Sequence, residues 1–231
     1  MSPKNLLIFG ATGTIGSFIL EALLPARSQF DRVAIFTSPR TAETKAAYLE
    51  KLKAQNIEVI VGDVEDANAV KTAYNGTYTY TSNPSYPRLF YTSKPVPNLN
   101  TNNTKIGIDT VISALGRMAL AQQIPLIRLA AASPSVKLFL PSEYGTDIAY
   151  GPASANEKPH QQKLKVRAVL EKEISREQLD YAYVVTGPFA EMYLHLTPGV
   201  DEAGGWDVKA RKAVLLGEKG EARVSLTTMK E

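Results

Sequence analysis

The chain has 231 residues, of which 44% are hydrophobic, so it is long enough for one α/β domain with a substantial core. It contains no cysteine, which excludes a disulfide framework, a thiol nucleophile and a cysteine-based metal site, and no apolar run reaches the length of a membrane helix. The net charge of +3 comes from Arg88, Lys94 and Lys105 in the acid-free segment 77–106, so the neutral remainder gives no evidence for nucleic-acid binding.

The first predicted element is a buried strand at 6–9, followed by a Gly-x-x-Gly-x-x-Gly turn and a helical pattern over 14–24. Strand, glycine turn and helix in this order are the context of a dinucleotide-binding loop. The alternative, a glycine-rich turn in another kind of α/β protein, is less favoured at a first strand–helix junction. A helix N-terminus offers free N–H groups to phosphates. The residues predicted to hold the cofactor here are Gly10, Thr12, Gly13, Thr14, Ile15 and Gly16.

Apolar runs then alternate with amphipathic patterns along the chain. The predicted strands are 6–9, 33–37, 58–61, 110–113, 137–140 and 181–185, and the predicted helices are 14–24, 41–54, 67–74, 117–132 and 161–176. This alternation predicts an α/β fold, a Rossmann-type doubly wound parallel sheet with helices on both faces. A final hairpin is predicted between 212–216 and 223–227. We therefore divide the chain into an NAD(P)-binding domain, 1–190, and a partial substrate-binding region, 191–231.

The segment 77–106 interrupts this pattern, with four prolines and no helical or strand period. A structureless stretch of this length is unusual inside a compact domain. One interpretation is a long surface loop or lid. The other, which we favour, is a translated, unspliced intron, because 76–78, 101–102 and 106–107 can be encoded with donor, branch-point-like and acceptor sequences and the segment keeps the reading frame. Genomic sequence without those codons would exclude the intron.

The residues after the second strand predict which cofactor is bound. Proteins that bind a free ribose 2′-hydroxyl carry an acid there, and this chain has none. Ser38 and Arg40 suit a 2′-phosphate instead, and Lys45 adds charge on the next helix. This favours NADPH over NADH, and the alternative is that Arg40 is a solvated loop cation.

Further cofactor contacts are predicted where the other strands end, because ligands bind at the carboxyl edge of such sheets. The residues assigned there are Asp63, Val64, Ser113, Ala114, Leu115, Ser142, Pro188 and Phe189. The first two are expected beside the adenine, the next three along the cofactor, and the last three at the nicotinamide or substrate. Ser142 could instead cap a turn with Glu143, and Phe189 could be plain core.

Four stretches, 10–16, 61–64, 109–116 and 136–145, resemble the NmrA-like / isoflavone reductase-like family, an atypical branch of the short-chain dehydrogenases. The resemblance covers nearly the whole chain except 77–106, and its most specific part is Pro-Ser-Glu-aromatic-Gly at 141–145. It implies a Rossmann domain and NADP(H). It also implies either enone or benzylic-ether reduction or, in regulatory members, redox sensing without turnover.

Reductases of this family carry a catalytic lysine in Lys-x-Lys-Val-Arg, and the matching residue here is Lys163. An ammonium near the nicotinamide can donate a proton as hydride arrives, provided that burial lowers its pKa. The alternative is an ordinary exposed lysine. Lys165 and Arg167 are expected to contact solvent or phosphate. The chain has no Tyr-x-x-x-Lys motif, which disfavours the tyrosine-based mechanism of other short-chain dehydrogenases.

The two histidines carry weaker hypotheses. His160 is a proton relay, a substrate contact or neither, and His195 is structural or lines the substrate. They are too far apart in sequence to form a metal motif.

The sequence thus predicts a cytoplasmic NADPH-dependent oxidoreductase that reduces a small aromatic or enone-bearing molecule, with no nucleic-acid or membrane partner. The alternatives are an NADP(H)-sensing regulator without turnover and a non-functional product that carries an intron. Family members usually continue past the last hairpin, whereas this chain stops at Glu231, so we expect an incomplete substrate cleft.

Overall fold

Six parallel strands form the centre of the fold. A computed structural model describes residues 3–76, 78–79, 104–105, 107–191, 205–207, 211–214 and 226–228. The central strands are β1 (Asn5–Phe9), β2 (Arg32–Thr37), β3 (Glu58–Val61), β6 (Thr110–Ser113), β7 (Leu138–Leu140) and β8 (Asp180–Tyr181). They lie in the order β3-β2-β1-β6-β7-β8, and every neighbouring pair is parallel. The order reverses between β1 and β6, the place where doubly wound sheets bind ligands. The predicted fold class is confirmed.

Helices cover both faces of this sheet. They are α1 (Thr14–Leu23), α2 (Pro39–Thr44), α3 (Ala46–Ala54), α4 (Ala67–Asn75), α5 (Gln123–Ala131), α6 (Pro152–Asn156) and α7 (Lys158–Lys172). Two 3₁₀ helices, Leu24–Gln29 and Arg117–Gln122, follow α1 and precede α5. None of the helices in this part of the chain is long and apolar enough to cross a bilayer.

The core has two layers because successive residues of a strand point to opposite faces. From β1, Leu7 and Phe9 pack with α5 and α7 through Leu126 and Leu170, and both strand residues are fully buried. Leu6 and Ile8 pack on the other face, in a cluster whose other members include Leu20, Ile35 and Leu52. Burial on both faces explains why β1 is continuously apolar in sequence.

Several predicted boundaries were wrong. The predicted helix 41–54 is two helices, because Lys45 leaves helical geometry. The first of them begins earlier than predicted, at Pro39, where the Ser38 hydroxyl caps it by accepting from the Thr41 N–H at 3.2 Å. The first part of the predicted helix 117–132 is 3₁₀. The predicted helix 161–176 runs from Lys158 to Lys172, and the predicted strand 181–185 is ladder-paired only at Asp180–Tyr181. Hydrophobic spacing locates elements better than it locates their ends.

The predicted C-terminal hairpin lies largely outside the described residues, which include only 212–214 of its first strand and 226–227 of its second. Strand β10 (Lys212–Val214) pairs antiparallel with β9 (Gly205–Asp207), a strand that the sequence analysis did not predict. Thr227 forms a parallel bridge with Phe189. The other residues of the predicted second strand, 223–225, lie outside the described residues, as does His195.

The ends of the irregular segment meet at one place on the fold. Strand β4 (Tyr78–Thr79) pairs antiparallel with β5 (Thr104–Lys105), which the sequence did not predict. Beyond this pair, the N–H of Ile108 donates to the carbonyl oxygen of Tyr74 at 2.8 Å. The chain therefore enters and leaves the segment between the end of α4 and the start of β6.

Deletion of residues 77–106 should leave a folded domain, because Tyr74 and Ile108 are already joined without them. Closing a long loop costs conformational entropy, and this cost grows only slowly with the length of the loop. Deletion of the segment removes the cost, so we expect an unchanged or slightly higher melting temperature. A variant with a Gly/Ser linker of equal length is the control for composition. Aggregation of the deletion variant, with the linker variant folded, would mean that the segment's closure supports the fold.

Candidate active site

The glycine turn after β1 has the geometry that its motif predicts. Gly10 has φ +74°, and the N–H of Gly13 donates to its carbonyl oxygen at 2.9 Å. A Cβ on Gly10 would lie 2.5 Å from the carbonyl oxygen of Ala114, and a Cβ on Gly16 would lie 2.1 Å from that of Gly10. Glycine is therefore required at both positions, at Gly10 by its conformation and at both by close main-chain packing.

The N-terminus of α1 points its free N–H groups out of this turn. The first N–H groups of an α-helix have no intrahelical partner, and here Gly13 is the N-cap and no side chain caps them. Gly13 and Thr14 are exposed, while Thr12 and Ile15 are half-buried. A ten-residue helix with an uncapped N-terminus and no side chain at Gly13 fits a diphosphate.

The turn after β2 adds cations beside the glycine turn. Lys45 reaches back to it, and its ammonium donates to the carbonyl oxygen of Thr12 at 2.6 Å. Arg40 is exposed in the first turn of α2, and the Ser38 hydroxyl caps the same helix. The predicted 2′-phosphate residues therefore lie on one short segment that touches the glycine turn through Lys45.

The loops after β6 and β7 are tied to each other at the same edge. The N–H of Ala114 donates to the carbonyl oxygen of Phe9, and the Ser142 hydroxyl donates to that of Leu115 at 2.9 Å. Gln123 accepts from the Ser142 N–H at 2.7 Å. Ser113 is fully buried, and its hydroxyl has no hydrogen-bond partner among the described residues.

Two predicted groups lie at the margins of this edge. The Asp63 carboxylate accepts from the N–H of Glu65, and Val64 packs on the core. On the far side, the carbonyl oxygen of Pro188 accepts from the N–H of Thr227 at 2.9 Å, and Phe189 is half-buried.

Lys163 lies on α7 and points to the loop after β7. Its ammonium donates to the carbonyl oxygen of Glu143 at 3.1 Å and lies 3.8 Å from where a Cβ on Gly145 would be. Burial lowers the pKa of Lys163; the Glu143 carboxylate opposes this, and the charges of Arg167 and Arg117 add to it. Burial therefore acts in the direction that a proton-donating lysine requires, and the catalytic role of Lys163 stays a prediction.

The expectation that Arg167 contacts solvent or phosphate was wrong. Arg167 is 8% exposed and forms two bonds of 3.0 Å to the Glu143 carboxylate, which is 1% exposed. Its guanidinium lies 4.4 Å from the ring centroid of Tyr183, whose hydroxyl donates to Glu171 at 2.9 Å. Sequence reasoning missed this pair because Glu143 is distant in sequence. The available signal was that 163, 167 and 171 share one helix face.

His160 lies in the first turns of α7, not in a loop. Its Nδ1 is 2.7 Å from the carbonyl oxygen of Ser154 and its Nε2 is 3.2 Å from the Thr146 hydroxyl. These contacts tie the loop after β7 and helix α6 to α7. Over the described ranges, no three His, Asp or Glu side chains form a group that could hold a metal ion.

Comparison with known proteins agrees with this geometry. The model of the NmrA-like family matches residues 2–201. Phenylcoumaran benzylic ether reductase PT1 of Pinus taeda is 28% identical over 225 residues, which are 96% of this chain and 60% of the relative. The isoflavone reductase of Pisum sativum is 26% identical over 239 residues, covering 99% of this chain and 63% of that enzyme. This chain thus spans about three fifths of the length of these relatives.

Solved structures share the fold. A binary complex of leucoanthocyanidin reductase with NADPH from Vitis vinifera superimposes with a TM-score of 0.56 at 22% identity, covering 85% of this chain and 55% of that one. A crystal structure of isoflavone reductase gives a TM-score of 0.58 at 21% identity, with 83% and 52% covered.

Proposed function

This chain belongs to the NmrA-like family, and we propose that it is an NADPH-dependent reductase of a small aromatic or enone-bearing molecule. The observation that carries the proposal is the partly buried ammonium of Lys163, held by Glu143 beside the sheet edge that bears the glycine turn. The similar proteins named as reductases of isoflavones and benzylic ethers support the reaction class and the aromatic substrate.

The residues at the switch point of the sheet suit NADPH. The close-packed glycines and uncapped N-terminus of α1 would hold the diphosphate. Ser38, Arg40 and Lys45 would hold the 2′-phosphate. The loops after β6 and β7 would line the remainder, with the buried hydroxyl of Ser113 at that edge. When bound, NADPH supplies the hydride.

The protein supplies the proton. The ammonium of Lys163 donates to Glu143, and it has further hydrogens for the ribose and for the substrate atom that gains charge as it is reduced. Its lowered pKa brings proton donation closer to neutral pH than an exposed lysine would. The assay is loss of NADPH absorbance with a panel of aromatic enones and benzylic ethers. Turnover that needs Lys163 supports the proposal.

Arg40→Ala should weaken NADPH binding by about 1–3 kcal/mol and leave NADH binding nearly unchanged, because only NADPH carries the 2′-phosphate. Arg40 is exposed, so its guanidinium is accessible to a phosphate, whose geometry the planar fork matches. Titration of both cofactors by fluorescence or calorimetry measures the difference.

Arg128→Ala is the matched control, since Arg128 is an arginine on α5 that pairs with Glu173 at the surface. It should bind both cofactors like the wild type. Equal losses for NADPH and NADH in Arg40→Ala would contradict the assignment of Arg40.

A second candidate is an NADP(H)-binding redox sensor without turnover. The observation in its favour is that the close-packed glycine turn and the uncapped N-terminus of α1 would serve a cofactor sensor as well as a reductase. Binding of both oxidised and reduced cofactor, with no turnover across the substrate panel, would support the sensor. The cytoplasmic location stays a prediction.

A further inference from the structure

Helix α7 contacts its surroundings through three side chains on one face. Lys163, Arg167 and Glu171 are spaced by four residues and therefore lie one above another. Lys163 bonds the Glu143 carbonyl oxygen, Arg167 makes two bonds to the Glu143 carboxylate, and Glu171 accepts from Tyr183. Two of the three side chains thus bond one residue of the loop after β7.

The side chain of Glu143 is buried and held by two hydrogen bonds. Its carboxylate accepts two nearly parallel bonds from a guanidinium that is itself buried. The Tyr183 ring packs against that guanidinium, and Asp147 lies 3.7 Å from it on the outer side. A planar fork with two bonds fixes direction as well as distance. Rotation of Glu143 would break both bonds and leave the buried cation with only its longer contact to Asp147.

We propose that the Glu143–Arg167 ion pair positions Lys163, by fixing the carbonyl oxygen that the Lys163 ammonium bonds. The pair does not itself touch the reacting atoms, and the inference rests on the proposed reductase function. Because the carboxylate and the carbonyl belong to the same residue, the bonds to Arg167 fix the point to which Lys163 is anchored. Lys163 and Arg167 are one helical turn apart. Their bonds to Glu143 therefore fix the position of α7 relative to the sheet edge.

The pair also places opposite charges near the ammonium. Besides burial, the groups that act on Lys163 are Glu143, which raises its pKa, and Arg167 and Arg117, which lower it. Loss of the Glu143 charge should therefore lower the pKa of Lys163, and loss of the Arg167 charge should raise it. The positioning role itself is tested by kcat and by the reactivity of Lys163 in the variants that keep both charges or remove both.

The test compares Glu143→Gln and Arg167→Gln in the full chain. Competitive acetylation with acetic anhydride at several pH values, read by peptide mass spectrometry, gives the pKa and reactivity of Lys163 without any turnover. The expected order of pKa is Glu143→Gln below wild type and Arg167→Gln above it. Where a substrate is turned over, kcat should fall about 10-fold to 100-fold with KM and NADPH affinity nearly unchanged.

Glu173→Gln is the matched control. Glu173 also pairs with an arginine, Arg128, and also links the end of α7 to a neighbouring helix, but at the exposed surface. It should leave the acetylation profile of Lys163 and kcat unchanged. Arg167→Lys, which keeps the charge and loses the fork, should restore the pKa of Lys163 and leave kcat lowered.

The double variant Glu143→Gln/Arg167→Gln keeps hydrogen-bonding groups and leaves no unpaired charge. It therefore tests whether the ion pair positions Lys163 even if a single variant fails to fold. Its kcat should fall, and its Lys163 should be acetylated several-fold faster at a given pH, since the lysine is less restrained. Wild-type acetylation of Lys163 in folded variants would overturn the inference and leave the reductase proposal intact. Altered acetylation in a protein without turnover would support the positioning role and count against the reductase.

Discussion

Replacement of Lys163 by methionine should reduce the rate of reduction about 10²-fold to 10⁴-fold, the range for loss of a general acid. Methionine fills a similar space and removes the ammonium, so the effect isolates the charge and its protons. Because the Lys163 ammonium would also donate to the cofactor ribose, NADPH binding should weaken as well, by about tenfold, the effect of losing one hydrogen bond of about 1.5 kcal/mol. Stopped-flow and steady-state assays of NADPH oxidation measure the rate, and a separate titration measures binding.

The pH dependence follows from the same group. The reaction needs the protonated ammonium, so kcat should fall as the pH rises through the pKa of Lys163. Burial lowers that pKa, so the fall should begin below the range of an exposed lysine. Lys163→Arg keeps a cation that does not titrate and should remove this part of the pH profile, at a lower maximal rate.

Lys165→Met is the control for this experiment. Lys165 is exposed two residues further along α7 and should be dispensable for the rate. Wild-type turnover by Lys163→Met, or an equal loss in Lys165→Met, would remove Lys163 from the mechanism.

Gly13→Val should weaken NADPH binding about 100-fold or more, roughly 3 kcal/mol, while the protein stays folded. Gly13 has an ordinary extended conformation, with φ −81°, and a Cβ there would lie 3.2 Å from the carbonyl oxygen of Gly10. The fold can therefore accommodate the side chain with a small shift. The valine would occupy the space through which a diphosphate reaches the main-chain N–H groups, and each bond to a charged group contributes about 1.5–3 kcal/mol.

A substitution at Gly13 should weaken binding without destabilising the fold, whereas substitutions at Gly10 and Gly16 should do both. Valine at Gly10 or Gly16 would collide with main-chain atoms at less than 3 Å, so those variants should lose stability as well. Gly151→Val is the control, because Gly151 is extended and a Cβ there meets no atom within 4 Å. If Gly13→Val melts like the wild type and binds NADPH equally well, the phosphates lie elsewhere.

The sheet and the glycine turn were predictable because their signals are local. Residues 6–9 are apolar without interruption, as a strand buried on both faces must be, and the three glycines follow at once. The turn conformation at Gly10 and the close packing at Gly16 depend on atoms within a few residues or on the adjacent strand. The sequence therefore contains most of the information that this part of the fold requires.

The arrangement of cations was predicted less well. Lys163, Lys165 and Arg167 look alike in sequence, yet the first is partly buried, the second exposed and the third buried in an ion pair. Lys45 was predicted near the 2′-phosphate, but its bond to the carbonyl oxygen of Thr12 could not be read from helical spacing. Each outcome depends on a partner from another part of the chain.

What the sequence by itself determined is the strand alternation, the glycine turn and the residue types at each strand end, because hydrophobic period and glycine geometry act over a few residues. What only the tertiary structure decided is which charges are buried and paired. The Glu143 carboxylate meets Arg167 across 24 residues because β7 and α7 pack together, and the free energy of a charge depends on the groups and solvent around it rather than on its neighbours in the chain.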